Sequence, residues 1–162
     1  HWLPQETILF DGCRINRRIE VELDAQSECL VLESLVFGRH LMGEALRSCH
    51  FTDRWRIRRG GRLVHAEALT LAYDVPALLA AAAGAGGAQM SATLVYVGWR
   101  IDEVRADIAA VAPTLASRVA ISAWRGRLVL RLLAPETMRG KADIARILSS
   151  MRGQQVPRVW QS

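Results

Sequence analysis

Apolar and polar residues alternate along much of the first half of the chain, from residue 5 to about residue 71. Ile19, Val21 and Leu23 are separated by charged residues, which places the three apolar side chains on one face of a strand. The nearly continuous apolar run Cys29–Phe37 predicts instead a strand that is buried on both faces. The first half is therefore predicted to consist mainly of strands.

A pair of glycines, Gly60 and Gly61, interrupts this pattern and predicts a tight hairpin turn, because glycine readily adopts the positive φ angles that such a turn requires. Residues 76–83 are rich in Ala and Leu and predict a turn or a short helix. A Gly-rich loop at residues 84–88 then separates this segment from a predicted strand at Ala92–Val97.

The first clear helical pattern lies at residues 103–116, where apolar residues recur at three- and four-residue spacing. Asp102 is a candidate cap for this helix. Pro113 is expected to kink or shorten it, because proline cannot donate a backbone hydrogen bond. The pattern thus changes from strand to helix near residue 102.

A hairpin and a second helix are predicted for the rest of the chain. Ala120–Trp124 and Leu128–Leu133 form the two strands, and the helix runs from about Glu136 to Met151 and is closed by Gly153. The whole chain, residues 1–162, is interpreted as a single mainly β domain with two α-helices. The alternative is an α+β fold with a split βαβ unit in the C-terminal half.

Composition narrows the class of protein. The 162 residues are 51% hydrophobic, which suffices for one core, and 21 basic against 16 acidic residues give a formal charge of +5, with Arg far more frequent than Lys. No uninterrupted apolar run reaches the roughly 18 residues of a membrane span. Three cysteines without a C-x-x-C pair argue against a disulfide framework and favour the cytoplasm.

No arrangement typical of an enzyme is present, whether a Ser-His-Asp set, a phosphate-binding loop or a zinc-protease motif. We therefore predict that the chain is not an enzyme. A weaker alternative is a metal-dependent enzyme with the soft ligands His40, Cys49 and His50, although their spacing matches no defined metal site.

A second alternative is a basic RNA- or DNA-binding module, because arginines surround Trp55 in the segment that holds Arg54, Arg56, Arg58, Arg59 and Arg62. In a strand, however, Arg54, Arg56 and Arg58 share the face opposite Trp55, as in any half-buried strand.

Four glutamates stand in or beside apolar segments, namely Glu6, Glu33, Glu44 and Glu67. An unpaired buried carboxylate is costly, so each is expected to be paired, hydrated or bound to a cation. Arg39 and Arg14 are candidate partners, and structural ion pairs are the simplest explanation for any one of the four.

Long motifs in series resemble those of the urease accessory protein D family, which is called H in some lineages. The resemblance covers essentially the whole chain. It is carried by residues 2–12 (WLPQETILFDG), 33–39 (ESLVFGR), 51–56 (FTDRWR), 61–69 (GRLVHAEAL), 122–126 (SAWRG) and 129–135 (VLRLLAP). Members of the family are longer at the front, so the chain is expected to be the C-terminal portion of such a protein.

The resemblance implies a β-helix-like stack of strands with two helices. It also implies a scaffold that binds accessory protein F and, through it, the GTPase accessory protein G, and that docks onto apo-urease so that nickel reaches the urease active site. No cofactor is expected to be bound tightly, and nickel would be in transit. On this basis Glu6, Glu33, Glu44 and Glu67 are candidates for a transient nickel passage, and Arg39, Arg158 and Trp160 are candidates for partner binding.

Overall fold

The computed structural model describes residues 1–152 and residue 160. In this part of the chain there are eight strands, three α-helices and two short 3-10 helices, at His40–Met42 and Ala112–Thr114. The strands are β1 (Thr7–Leu9), β2 (Cys13–Leu23), β3 (Cys29–Phe37), β4 (Cys49–Arg59), β5 (Arg62–Leu71), β6 (Met90–Val97), β7 (Arg118–Trp124) and β8 (Arg127–Ala134), and the α-helices are α1 (Val75–Ala80), α2 (Ile101–Val111) and α3 (Thr137–Arg152).

The strands form two sheets. The larger has the order β1-β3-β6-β8-β7 and the smaller the order β2-β4-β5. Strands β1 and β3 pair in parallel, as do β2 and β4, and the other pairs are antiparallel. The prediction of a mainly β fold is confirmed, and the two parallel pairs are the contacts that a stacked arrangement of strands would contain.

The larger sheet lies between two other layers, and this position explains why Cys29–Phe37 is apolar throughout. One face of the sheet packs against α2 and α3 through Leu30, Leu94 and Ile147 among others. The opposite face packs against the smaller sheet. All nine residues of β3 are buried, whereas exposure alternates along β2, whose outer face meets solvent.

The C-terminal half contains the split βαβ unit that was the alternative reading of the sequence. Strands β6 and β7 are both antiparallel to β8, which lies between them, so β6 and β7 run in the same direction and α2 connects them. Strand β3 pairs with β6 on its other side and joins this unit to the first half of the chain.

The helices agree with the sequence in position but differ in detail. Helix α2 begins at Ile101, and the Asp102 side chain accepts a hydrogen bond from Arg105 at 3.1 Å instead of capping the helix. Pro113 lies in the 3-10 turn that follows Val111, so it shortens the helix as predicted. Gly153, the predicted end of α3, lies outside the described residues. No described helix is both long and apolar enough to cross a membrane.

Candidate functional site

A band of polar side chains crosses the interior between the two sheets. On the larger sheet, Glu33 of β3 is paired with Thr93 of β6, and Thr93 is paired with Arg131 of β8. These three residues share the face whose other members, such as Val31 and Val95, pack against the smaller sheet. Charged groups are therefore placed where the pattern of each strand otherwise requires apolar ones.

Arg17 of β2 faces this band from the smaller sheet. Its guanidinium lies 2.5 Å from the Glu33 carboxylate and 2.6 Å from the carboxylate of Asp53, its neighbour on β4. Two indole N–H groups complete the network, because Trp2 donates to Glu33 and Trp55 donates to Asp53, each at 2.8 Å. One arginine thus holds two buried carboxylates.

The surroundings of Glu33 determine its protonation. Burial raises the pKa of Glu33, and the hydrogen bond from Trp2 and the charge of Arg17 oppose that rise without cancelling it. The negative charge of Asp53 raises the pKa further. Glu33 is thus a carboxyl whose charged form is only partly compensated by the protein.

Glu67 of β5 lies in the same band but has different partners. Its carboxylate is bonded to Arg131, which also donates to Thr93 at 2.8 Å, and it lies 3.4 Å from His65 Nε2. Burial alone would raise the pKa of Glu67, but the interactions with His65 and Arg131 outweigh burial and lower it. Glu67 is thus held in its charged form.

These side chains are called the polar layer below; its members are Arg17, Glu33, Asp53, His65, Glu67, Thr93 and Arg131. The layer reaches the surface through a cleft of about 460 Å³. Glu67, Thr93 and Arg131 line the cleft together with apolar residues of β5 and α1 that include Leu69 and Leu78. A small ion that enters the cleft meets Glu67 and Arg131 directly.

Several buried polar atoms of the polar layer have no hydrogen-bond partner within the described part of the chain. They are Oδ1 of Asp53 and Nε of Arg17, and also Oε2 of Glu67 and Nε2 of His65, which form an ion pair with each other at 3.4 Å. Buried polar atoms normally bind protein groups, water or ions. Among these atoms, only Oδ1 of Asp53 and Nε of Arg17 thus lack both a hydrogen bond and an ion pair within the described residues.

Of the four predicted glutamates, Glu33 and Glu67 share the polar layer and the other two lie elsewhere. Glu6 pairs with Lys141 of α3 at 3.2 Å, next to the helical layer. Glu44 pairs with Arg39 in a surface loop and accepts a hydrogen bond from the Asp11 backbone at 3.1 Å. Each of the four has a basic partner, but Arg14 is not among them: Arg17 occupies the predicted place, because its side chain points inward and that of Arg14 points outward.

The residues predicted to bind a partner have unequal positions. Arg39 is exposed, and its guanidinium lies 5.7 Å from the centre of the Phe10 ring. Trp160 is only 3% exposed and donates to the carbonyl of Leu3 at 3.2 Å. This burial does not suit partner binding, because the indole already has its contacts in the core. Arg158 lies outside the described residues.

The soft-ligand alternative is not supported by the positions of its residues. Within residues 1–152 and residue 160 no three His, Cys, Asp or Glu side chains are grouped as ligands of one metal ion. Cys49 instead lies beside Cys13 in the parallel pair β2–β4, and burial followed by the influence of Cys13 raises the pKa of Cys49 to about 11.

The nucleic-acid alternative required an accessible Trp55 among the arginines. Trp55 is only 2% exposed, and its indole N–H is bonded to Asp53, so its ring cannot stack on a base. Arg54 and Arg56 are exposed on the opposite face of β4, as expected for a half-buried strand.

Sequence reasoning missed Arg17, Asp53 and Arg131, although two of them left a signal. Arg17 stands between Ile15 and Ile19 at the inward-facing positions of β2. Asp53 stands in the same way between two buried aromatic residues of β4. A charged residue in register with the apolar face of a strand is the pattern that identifies such a layer.

Comparison with known proteins now gives the family. The family model described as UreD urease accessory protein matches residues 1–161. The chain belongs to the UreD family. Two relatives named urease accessory protein UreD are 47% identical to it over 166 residues, in a Methylobacterium species, and 44% identical over 161 residues, in Agrobacterium fabrum. Each alignment covers 99% of the chain.

The chain spans 59% and 56% of the lengths of these two relatives. The resemblance drawn from the motifs is therefore confirmed at the level of the family. The family name is that of an accessory protein of urease and not of an enzyme, in agreement with the prediction from the sequence.

Proposed function

We propose that this chain is part of a cytoplasmic scaffold that supports nickel insertion into apo-urease without any turnover of its own. Its membership of the UreD family and the names of its relatives support a place in urease maturation. On this proposal it binds accessory protein F and, through it, the GTPase accessory protein G. Nickel is then cargo that passes along the protein and not a resident cofactor.

The observation that carries the proposal is the polar layer with its opening to the surface. Two carboxylates that belong to different sheets, Glu33 and Glu67, lie in this layer. Glu67 is bonded to Arg131, Arg131 donates to Thr93, and Thr93 is the neighbour of Glu33 in the larger sheet. The cleft of about 460 Å³ gives access to the Glu67 end. On this proposal a divalent cation moves between the sheets from one of these carboxylates to the other.

The arginines of the polar layer favour weak, reversible binding of a cation over tight binding. Arg17 and Arg131 compensate the carboxylates in the absence of a cation, so an arriving ion must compete with a guanidinium for each oxygen. A path of weak sites allows entry and also release. On this proposal an entering ion meets Glu67 first, because Glu67 lines the cleft whereas Asp53 is buried and does not line it.

Glu6 and Glu44 remain candidates for the passage, in regions separate from the polar layer. For partner binding we propose Arg39, with the exposed side chains of Leu41 and Met42 beside it in the same loop. An arginine beside exposed apolar groups is a common composition for a protein interface. Arg158 is retained as a second candidate.

The proposal is tested in a protein of the relatives' length that includes this chain. Glu33→Gln and Glu67→Gln together should lower the nickel content and the activity of urease matured with accessory proteins F and G, while co-purification with protein F stays unchanged. Glu20→Gln with Glu22→Gln is the matched control, since both side chains are exposed on β2. Full activation by the first pair would refute the passage, and failure to bind protein F would refute the scaffold.

A further inference from the structure

A second cleft lies at one end of the two sheets, where two hairpin turns approach each other. The β4–β5 turn contributes Arg59 and Arg62, and the β7–β8 turn contributes Arg125 and Arg127. Trp99, which follows β6, forms part of the wall, and the volume of the cleft is about 520 Å³. This is called the arginine cleft below, and none of the described residues that line it is acidic.

The four arginines of the cleft are not neutralised by the protein. None of them forms an ion pair with a carboxylate within the described residues. Burial lowers the pKa of the Arg127 guanidinium, and the nearby charge of Arg125 lowers it further. Nη2 of Arg59 and Nε of Arg127 are buried and have no hydrogen-bond partner in this part of the chain. Four like charges are thus held together with unused donors.

Two of the arginines are fixed in place by stacking on tryptophans. The guanidinium of Arg59 lies 3.6 Å from the centre of the Trp99 ring, and its Nε donates to the carbonyl of Ala25 at 3.1 Å. The guanidinium of Arg127 lies 4.3 Å from the centre of the Trp124 ring. Stacked and bonded side chains lose little further freedom when a ligand binds.

Arg125 has a backbone conformation that its residue type disfavours. Its φ is +47°, and the next residue, Gly126, has a φ of +74°. Hairpin turns of this kind favour Asn or Gly at both positions. Arg125 thus adds a positive charge to the cleft although its backbone conformation is unfavourable for arginine. Residues held in unfavourable backbone conformations are typical of functional positions.

We infer that the arginine cleft binds a carboxylate-rich segment of a protein partner. The guanidinium groups present paired N–H donors that match the two oxygens of a carboxylate. This binding would specify the scaffold function proposed above. It rests on that proposed function only for the identity of the partner. It places one docking site for that partner at the end of the sheets, where the β4–β5 and β7–β8 turns meet.

The geometry favours an acidic peptide over a nucleic acid. One face of each tryptophan ring is already covered by a guanidinium, whereas single-stranded nucleic acids bind by stacking bases on free aromatic faces. The volume of the cleft, about 520 Å³, is enough for a few side chains. Carboxylates match the positive charge of the four arginines that line it.

The test uses a hexaglutamate peptide as the probe and the fluorescence of the exposed Trp99 and Trp124 as the signal, with calorimetry as a second measurement. Arg62→Gln with Arg125→Gln should raise the Kd for the peptide at least about tenfold, because charge-assisted hydrogen bonds are lost. Neither arginine forms a side-chain hydrogen bond within residues 1–152, so the fold should persist, as circular dichroism would verify.

Arg54→Gln with Arg56→Gln is the matched control, since it removes the same charge from the exposed outer face of β4. The Kd should then change less than about twofold, because distant surface charges are screened at physiological salt.

An equal loss in both variants would overturn the inference, and so would equal binding of hexaglutamine. Tighter binding of inorganic phosphate or of an oligonucleotide would assign the cleft to another ligand. Failure of peptide binding with normal urease activation would refute this inference alone.

Discussion

The guanidinium of Arg17 lies 2.5 Å from the carboxylate of Glu33, and this contact joins the two sheets of the protein. Arg17 belongs to the smaller sheet and Glu33 to the larger one. The same guanidinium also holds Asp53 at 2.6 Å. A single cation therefore compensates two carboxylates in the interior, and the stability of the polar layer depends on it.

Arg17→Met is expected to lower the free energy of unfolding by about 3–5 kcal/mol, because it leaves two buried carboxylates without their cation. Urea denaturation followed by circular dichroism at neutral pH measures the change. Arg18→Met is the control, since Arg18 is exposed on the same strand and its pair with Glu20 contributes less than about 1 kcal/mol. Equal losses in the two variants would contradict the assigned role of Arg17.

The stabilising effect of Glu67 should depend on pH. Its pKa is lowered in the folded protein, so its contribution is present above the unfolded pKa of about 4.3 and is lost as the pH falls through the folded value. The difference in unfolding free energy between the wild type and Glu67→Gln should therefore favour the wild type most near pH 7. Urea denaturation at a series of pH values should show this difference shrinking below about pH 4.

Glu33 should show the opposite dependence. Burial raises its pKa in the folded protein, so its contribution is complete below the unfolded pKa of about 4.3 and is lost as the pH rises through the folded value. Relative to Glu33→Gln, the wild type should become less stable as the pH rises from that point. The same denaturation series tests this, and a slope of the same sign as that of Glu67 would show that the charged partners of Glu33 outweigh its burial.

The sequence predicted the elements of this fold well, because local periodicity determines them. The alternation over β2, the apolar run of β3 and the Gly60-Gly61 turn each appear where the pattern placed them. The start of α2 was misplaced by two residues, at 103 instead of Ile101, and Asp102 was given the wrong role. Capping depends on backbone geometry that the pattern does not contain.

The sequence identified only some of the residues of the polar layer. Glu33 and Glu67 were identified because they interrupt apolar strands, but their common membership of one layer depends on how the two sheets pack, and that packing is not local in sequence. The mistaken choice of Arg14 over Arg17 has a physical cause. Neighbouring residues of a strand point to opposite faces, and only the register of the strand shows which face is buried.

Gly140 allows α3 to pack closely on the larger sheet. A Cβ atom at this position would lie 2.7 Å from the Cβ of Ala134 and 2.7 Å from the sulfur of Met90. Alanine normally stabilises a helix by about 1 kcal/mol relative to glycine. Here Gly140→Ala is expected to lower the free energy of unfolding by about 1–3 kcal/mol instead, because the helix must move away from the sheet. Ser149→Ala, at an exposed position of the same helix, should change stability by less than about 0.5 kcal/mol in urea denaturation.

Arg125→Asn is expected to affect the stability of the β7–β8 turn and ligand binding by the arginine cleft in opposite directions. Asparagine tolerates a φ of +47° better than arginine does, so the variant should be more stable than the wild type by about 0.5–1 kcal/mol in urea denaturation. The same change removes a charge from the cleft and should weaken binding of the hexaglutamate peptide. Gly126→Ala serves as the control, because alanine is strained at a φ of +74° and should destabilise the turn. A gain in stability without a loss of peptide binding would mean that Arg125 is not kept for its charge.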